Sequence, residues 1–269
     1  MRSLVATVVC MVCTLFACAS SGAKPAQPAR PSPPAPKAPR AVRLSPDLEL
    51  LEIAPGVVMH TTWKELPEVG RFPSNGLIVL GPNEALLIDT AWTVEATVLL
   101  LDHVEQVYRR RVTTVIVTHS HDDRAIGIRE ALRRGARVHG LALTATRTAA
   151  AGFGTPSDTF EESAVIELDG IRAEAYFPGP AHAPDNIVVW LPQQRILAGT
   201  CMIRSGDATS LGYLGDASLA TWSDAVKAVQ RRFPDVAMVV PGHGEPGPPS
   251  LLDHTIELVS RAVRGLKDP

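Results

Sequence analysis

Six side chains able to bind a transition metal recur in short, similar settings along the sequence. In "TTVIVTHSHDDR" the imidazoles of His119 and His121 and the carboxylate of Asp123 alternate directly after a β-branched apolar run. His182 stands in "GPAHAPDN", Cys201 follows "RILAGT", and His243 lies in "PGHG" just past "VAMVVP". Every one of them sits at the end of a predicted strand. If those ends converge, they present three imidazoles (His119, His121 and His182) beside one carboxylate, one thiolate and one further imidazole (Asp123, Cys201 and His243). Both sets suit zinc. Each supplies three protein ligands and leaves a position open for water, which marks a catalytic rather than a structural site.

Other polar residues read more plainly. His60, His103, His139 and His254 are expected to be ordinary satisfied histidines, and Asp122 to solvate its loop or cap a helix. Ser120 has no base or acid pattern around it, so a serine triad is poorly supported.

The elements that must position the six donors follow from apolar periodicity. "LIVL" and "ALLIDT" read as strands around a Gly-Pro-Asn turn, residues 94–109 as a helix, and "TTVIVT" as the next strand. A helix is predicted from about Arg124 to a Gly135 cap. Further on, "AVIELDGIRAEAYF" is a hairpin with an Asp-Gly turn, followed by the strands "NIVVWLP" and "RILAGT". A helix over about 218–233 leads to "VAMVVP", and a last helix opens at Ser250 with an approximate capping box to Asp253. Two sheets with helices outside are the simplest packing of this order, an α/β fold.

Length and composition agree with a single folded domain. The chain has 269 residues, is 45% hydrophobic and carries a formal charge of -2, so its scattered basic residues favour a small molecule over nucleic acid. Residues 1–18 read as a signal peptide: Arg2, an apolar stretch too short to span a bilayer, then small residues. Its end, "LFAC", is similar to the box cut by bacterial lipoprotein signal peptidase, which would leave a lipid on Cys18; "ACA" also fits ordinary cleavage after Ala19. Residues 19–45 hold the Pro-rich run "KPAQPARPSPPAPKAPR", an expected disordered tether. The folded domain is expected over 46–269. Of the four cysteines only Cys201 lies in it, so no intramolecular disulfide is expected there.

The motifs "THSHDD", "GPAHAPDNIVVWLP", "LAGTCMIRS" and "PGHG" together resemble the metallo-β-lactamase fold over roughly residues 48–266. The wider superfamily has HxHxDH; here Arg124 stands in place of the last histidine and Cys201 adds a thiolate, which resembles the zinc β-lactamases of class B, subclass B1. The resemblance implies a four-layer αββα sandwich and two zinc ions, the first on His119, His121 and His182, the second on Asp123, Cys201 and His243. It implies hydrolysis of penicillins, cephalosporins and carbapenems by a zinc-bound hydroxide that Asp123 orients, and with it antibiotic resistance. Arg204 replaces the family's usual lysine and can pair with the substrate carboxylate. Tyr213 replaces an asparagine, and its hydroxyl cannot mimic an amide. Residues 63–72, "WKELPEVGRF", resemble the family's flap, or else form an ordinary surface loop. The expected protein is an exported, periplasmic monomer that meets a membrane only through Cys18. Competing readings are a thioesterase or lactonase of the same fold and a periplasmic zinc-binding protein without turnover.

Overall fold

The computed structural model describes residues 41–67 and 69–266; the expected signal peptide, Cys18 and nearly all of the expected tether lie outside them. The strands β1 (Val42–Ser45), β2 (Leu48–Ala54), β3 (Val57–Leu66), β4 (Gly70–Leu80), β5 (Glu84–Ile88), β6 (Arg111–Ile116), β7 (Arg137–Leu141) and β8 (Asp158–Phe160) form one sheet in chain order. Pairing is antiparallel as far as β5 and parallel from β5 to β8. The second sheet runs β13-β12-β11-β10-β9, built from β9 (Ser163–Leu168), β10 (Ile171–Tyr176), β11 (Val188–Leu191), β12 (Ile196–Thr200) and β13 (Met238–Pro241). Only its β12–β13 pair is parallel.

Side-chain alternation along each strand assigns the layers. Leu86, Ile88, Leu77 and Val79 face Val189, Leu191, Ile196 and Ala198 between the sheets. Leu87, Val115 and Val138 face outward, where they are covered by Leu100 and Val104 of α1 (Val94–Gln106) and by Ile128 of α3 (Ile128–Arg133). On the other side, Val188, Trp190, Leu197 and Val239 meet Trp222, Val226 and Val229 of α5 (Leu219–Arg232) and Leu258 of α6 (Ser250–Gly265). The result is the expected αββα sandwich. Because β11 and β12 are covered on both faces, they read in sequence as unbroken apolar runs. Each fully buried aliphatic side chain in these layers contributes about 1.5–3 kcal/mol.

Several expectations need correction. The first strand already runs over Val42–Ser45, inside the stretch assigned to the tether, because it adds an edge to β2. The helix expected from Arg124 to Gly135 is two short ones, α2 (Asp122–Ala125) and α3. The Thr90 hydroxyl breaks it: Oγ1 donates to the Arg124 carbonyl at 2.9 Å and accepts from the Gly127 N–H at 3.1 Å. Asp123 therefore sits within a helical turn and not in a loop. The Ser250–Asp253 capping box does not form; Pro249 is the cap residue, and Asp253 accepts instead from Gln230 Nε2 at 2.8 Å.

Candidate metal centre

The parallel strands β5, β6, β12 and β13 all end at one rim of the sandwich, and there the chain turns sharply. Asp89 and Thr200, at the ends of β5 and β12, adopt left-handed backbone conformations with φ of 63° and 50°, strained for residues with a Cβ. Thr200 thereby turns the chain into Cys201. Backbone hydrogen bonds stitch the two sheets together at this rim, from Asn75 N–H to the Gly242 carbonyl at 2.8 Å and from Ile187 N–H to the Thr118 carbonyl at 2.9 Å.

All six donors named from sequence meet at this rim. His119 Nε2 and His182 Nε2 lie 3.1 and 3.2 Å from His121 Nδ1. Beside them, Cys201 Sγ is 3.2 Å from His243 Nε2 and 3.7 Å from Asp123 Oδ2, and His243 Nε2 is 3.7 Å from the same carboxylate oxygen. His119 also lies within 4.8 Å of Asp123 and Cys201, so the two triads adjoin.

Their protonation suits a cation. Burial, reinforced by the charges of His121 and the other neighbours, holds His119 well below the ordinary histidine value, and burial brings His182 to about 3 and His243 to about 4. Burial works against an ionised Asp123, but the Arg124 guanidinium and the surrounding histidines outweigh it and hold the carboxyl at about 2. Burial pushes the Cys201 thiol up, against the pull of Arg124. The site thus gathers His119, His182 and His243 as neutral imidazoles, with His121, a carboxylate and a buried thiol beside them, a donor set that fits two borderline-soft divalent ions.

Five of the six donors are aimed by a neighbour, whereas His182 Nδ1 is buried without a hydrogen-bond partner. His121 Nε2 donates to Asp216 Oδ2 at 2.8 Å, which leaves Nδ1 as the lone-pair nitrogen. His243 Nδ1 lies 2.6 Å from the Pro73 carbonyl oxygen, which likewise frees Nε2. Ser74 Oγ donates to Asp123 Oδ2 at 3.3 Å. Arg124, fully buried, is the hub: Nη2 contacts Asp123 Oδ2 at 2.9 Å, Cys201 Sγ at 3.1 Å and the Gly242 carbonyl at 2.8 Å. Its Nη1 reaches Asp89 Oδ2 at 3.4 Å and the Asn75 carbonyl. Asp89 also accepts from the Thr118 hydroxyl at 2.8 Å, and that hydroxyl faces His119 Nδ1 at 3.5 Å. One buried carboxylate thus braces both triads.

The sequence pattern did not single out Asp89, Ser74, Asn75, Arg147 or Asp216, because they act across long separations; only the Asp at the end of "LLIDT" carried a strand-end signal. Asp122 pairs with Lys64 of β3 at 2.8 Å, and Ser120 Oγ accepts from Arg147 Nε at 2.8 Å. His60 is buried, with Nε2 3.2 Å from the Asp89 carbonyl, and its pKa falls to about 4 through burial.

A cavity of about 490 Å³ opens over both triads, walled by Leu66, Phe72 and Trp92 on one side and by Arg204, Tyr213 and Asp216 on the other. Within residues 63–72, the described strand residues of β3 and β4 pair and bring Leu66 and Phe72 to this wall. Tyr213 is largely exposed. Its ring meets His121 edge-on at 5.8 Å, and its hydroxyl lies over Gly215, where a Cβ would come within 2.1 Å.

Known proteins are similar to this chain in sequence and in fold. The sequence pattern of the metallo-beta-lactamase superfamily matches residues 69–243. The chain is 36% identical over 217 residues to a metallo-beta-lactamase type 2 of Bacillus cereus, covering 79% of this chain and 82% of that protein. It is 33% identical over 228 residues to one of Bacteroides fragilis, covering 85% and 92%. Among solved structures, a metallo-beta-lactamase from Pontibacter korlensis superposes with a TM-score of 0.76 at 39% identity, covering 79% of this chain and 99% of that one. The FIM-1 enzyme of Pseudomonas aeruginosa, in its mono-zinc form, superposes with a TM-score of 0.76 at 31% identity, covering 82% and 99%. With the sandwich, the rim of converging strand ends and these likenesses together, the chain belongs to the metallo-beta-lactamase superfamily.

Proposed function

We propose that the protein hydrolyses the β-lactam amide of penicillins, cephalosporins and carbapenems with two zinc ions, one held by His119, His121 and His182 and the other by Asp123, Cys201 and His243. Arg204 carries the substrate class. Its guanidinium lines the cavity beside both triads, and its Nε is buried without a hydrogen-bond partner. It makes no ion pair among the described residues, although burial already pulls its pKa below the ordinary arginine value. A half-buried cation held only by the longer-range pull of Cys201 and Asp207 is costly, and all three drug classes bring a carboxylate beside the scissile amide.

Bound zinc would supply Lewis acidity, acidifying water and stabilising negative charge on the substrate. The chain's own residues do the rest. Asp123, held ionised by Arg124, belongs to the second triad and orients the attacking water. Arg204 pairs with the substrate carboxylate and so sets the amide over the triads. Leu66, Phe72 and Trp92 cover the apolar face of the drug and exclude water around it. Hydrolysis forms a bond from water oxygen to the carbonyl carbon and breaks the bond to the ring nitrogen, which leaves with the electron pair and takes up a proton. Tyr213 acts as an aromatic wall, since its hydroxyl lies over its own loop.

The proposal extends to location. The signal peptide ends at Cys18, which carries the lipid, and the tether runs from residue 19 up to β1, placing the enzyme in the periplasm, where it confers resistance. The sequence alone supports that part.

Replacing Arg204 tests the substrate class. A charge-assisted contact is worth about 1.5–3 kcal/mol, so Arg204→Ala should lower kcat/KM on a carbapenem and a penicillin roughly ten- to a hundredfold with zinc content unchanged. Arg204→Lys should recover much of the loss. Undiminished hydrolysis by Arg204→Ala would mean that the carboxylate is held elsewhere.

A further inference from the structure

The loop that carries His121 is clasped from behind by an arginine on a helix that contributes nothing else to the cavity. Arg147 projects from α4 (Ala142–Ala150). Its Nε donates to Ser120 Oγ at 2.8 Å, and Ser120 is the residue between His119 and His121. Its Nη2 contacts Asp216 Oδ1 at 3.2 Å, while the other oxygen of the same carboxylate accepts from His121 Nε2 at 2.8 Å. The guanidinium also lies 3.8 Å from Asp185 Oδ1, a fully buried carboxylate oxygen without a hydrogen-bond partner. One fork thus ties α4, the loop between the two histidines and the loop of the second half that bears Asp216.

We infer that Arg147 is a positioning residue for the first metal: it fixes Asp216, and through Asp216 it fixes the tautomer and ring plane of His121. The chemistry is direct. A carboxylate that is free to swing would let His121 rotate or move its proton to Nδ1, and a protonated Nδ1 cannot bind a cation. A bidentate guanidinium with one arm on Ser120 and one on Asp216 holds the two loops in register. Lysine, with a single ammonium, can reach one of the two. The inference rests on the reading of the three histidines as a metal site, and Arg147 itself touches neither metal nor substrate.

Cobalt titration separates the two sites, because a second-site ion bound to Cys201 gives a sulfur-to-cobalt charge-transfer band that a first-site ion does not. Competition against a chelator then yields an affinity for each. Arg147→Ala should weaken the histidine site by roughly tenfold or more, the scale on which partners of ligating residues act. The affinity read from the Cys201 band should stay at its wild-type value, even though the metal-free protein loses some thermal midpoint because Asp185 is left without its cation. Arg147→Lys should recover part of the loss, and Asp216→Asn should weaken the same site with little further effect when combined with Arg147→Ala. Wild-type affinity in Arg147→Ala would overturn the inference. So would a parallel loss at both sites, since that marks general destabilisation. A wild-type protein that binds no cobalt at all would overturn the metal site itself, a different result from either.

Discussion

Of the three donors proposed for the second zinc, Cys201 is the one that must surrender a proton before it can bind. His243 titrates at about 4 and Asp123 at about 2, so at neutral pH both already hold their binding form, whereas burial keeps the thiol protonated. Metal and proton therefore compete for Cys201, and raising the pH favours the metal. Zinc affinity of the second site should rise about tenfold per pH unit from pH 6 to 8, one proton per ion, and chelator competition corrected for the chelator's own protonation would read this slope. A pH-independent affinity would remove Cys201 from the site. Arg124 supports a second prediction. Its side chain is the counter-charge to two buried carboxylates, and removing one partner of such a group leaves the others uncompensated. Arg124→Ala should cost about 3–5 kcal/mol in denaturant unfolding of the metal-free protein, and Arg124→Lys less. The presence of an arginine after Asp123 was plain from sequence. That it would be fully buried under both triads was not, because its partners Asp89 and Asn75 lie 35 and 49 residues away in the chain.

Elements decide how close these groups come. β13 delivers Gly242 against the second triad, where an added Cβ would lie 2.6 Å from Cys201 N and 2.7 Å from both Cys201 Sγ and Arg124 Nη2. Gly242→Ala should therefore overpack the rim by about 1–3 kcal/mol and weaken the second metal site. Gly206→Ala is the matched control, since its Cβ would make only an ordinary contact with Leu251 at 3.5 Å; equal behaviour of the two would contradict the close approach. The strands of the site were legible because β-branched apolar runs end in polar motifs. The helices were less so. Periodicity alone joins α2 and α3 into one helix, and only a threonine more than thirty residues earlier interrupts it. The segment holding β7, α4 and β8 gave no distinct signal, and with it the sequence hid Arg147.

At the scale of the molecule, apolar runs covered on both faces made the sandwich readable, and the six donors were readable as a set because each closes a strand. What sequence could not supply was the packing that brings both halves of the chain to one rim, and hence the network linking Asp216 to His121 across 95 positions. Location is a separate question, carried by residues outside those described. Cys18→Ser should move the protein from the membrane fraction to the soluble one with metal-dependent activity intact, as detergent partitioning would register; wild-type protein found wholly soluble would sink the lipid anchor. The most direct test of the whole is turnover of one carbapenem by the purified protein before chelation, after chelation and after zinc is returned. Hydrolysis should vanish on chelation and return in full with two equivalents of zinc per chain. Hydrolysis that persists without metal, or a zinc-loaded protein that leaves the drug intact, would contradict the proposed β-lactamase.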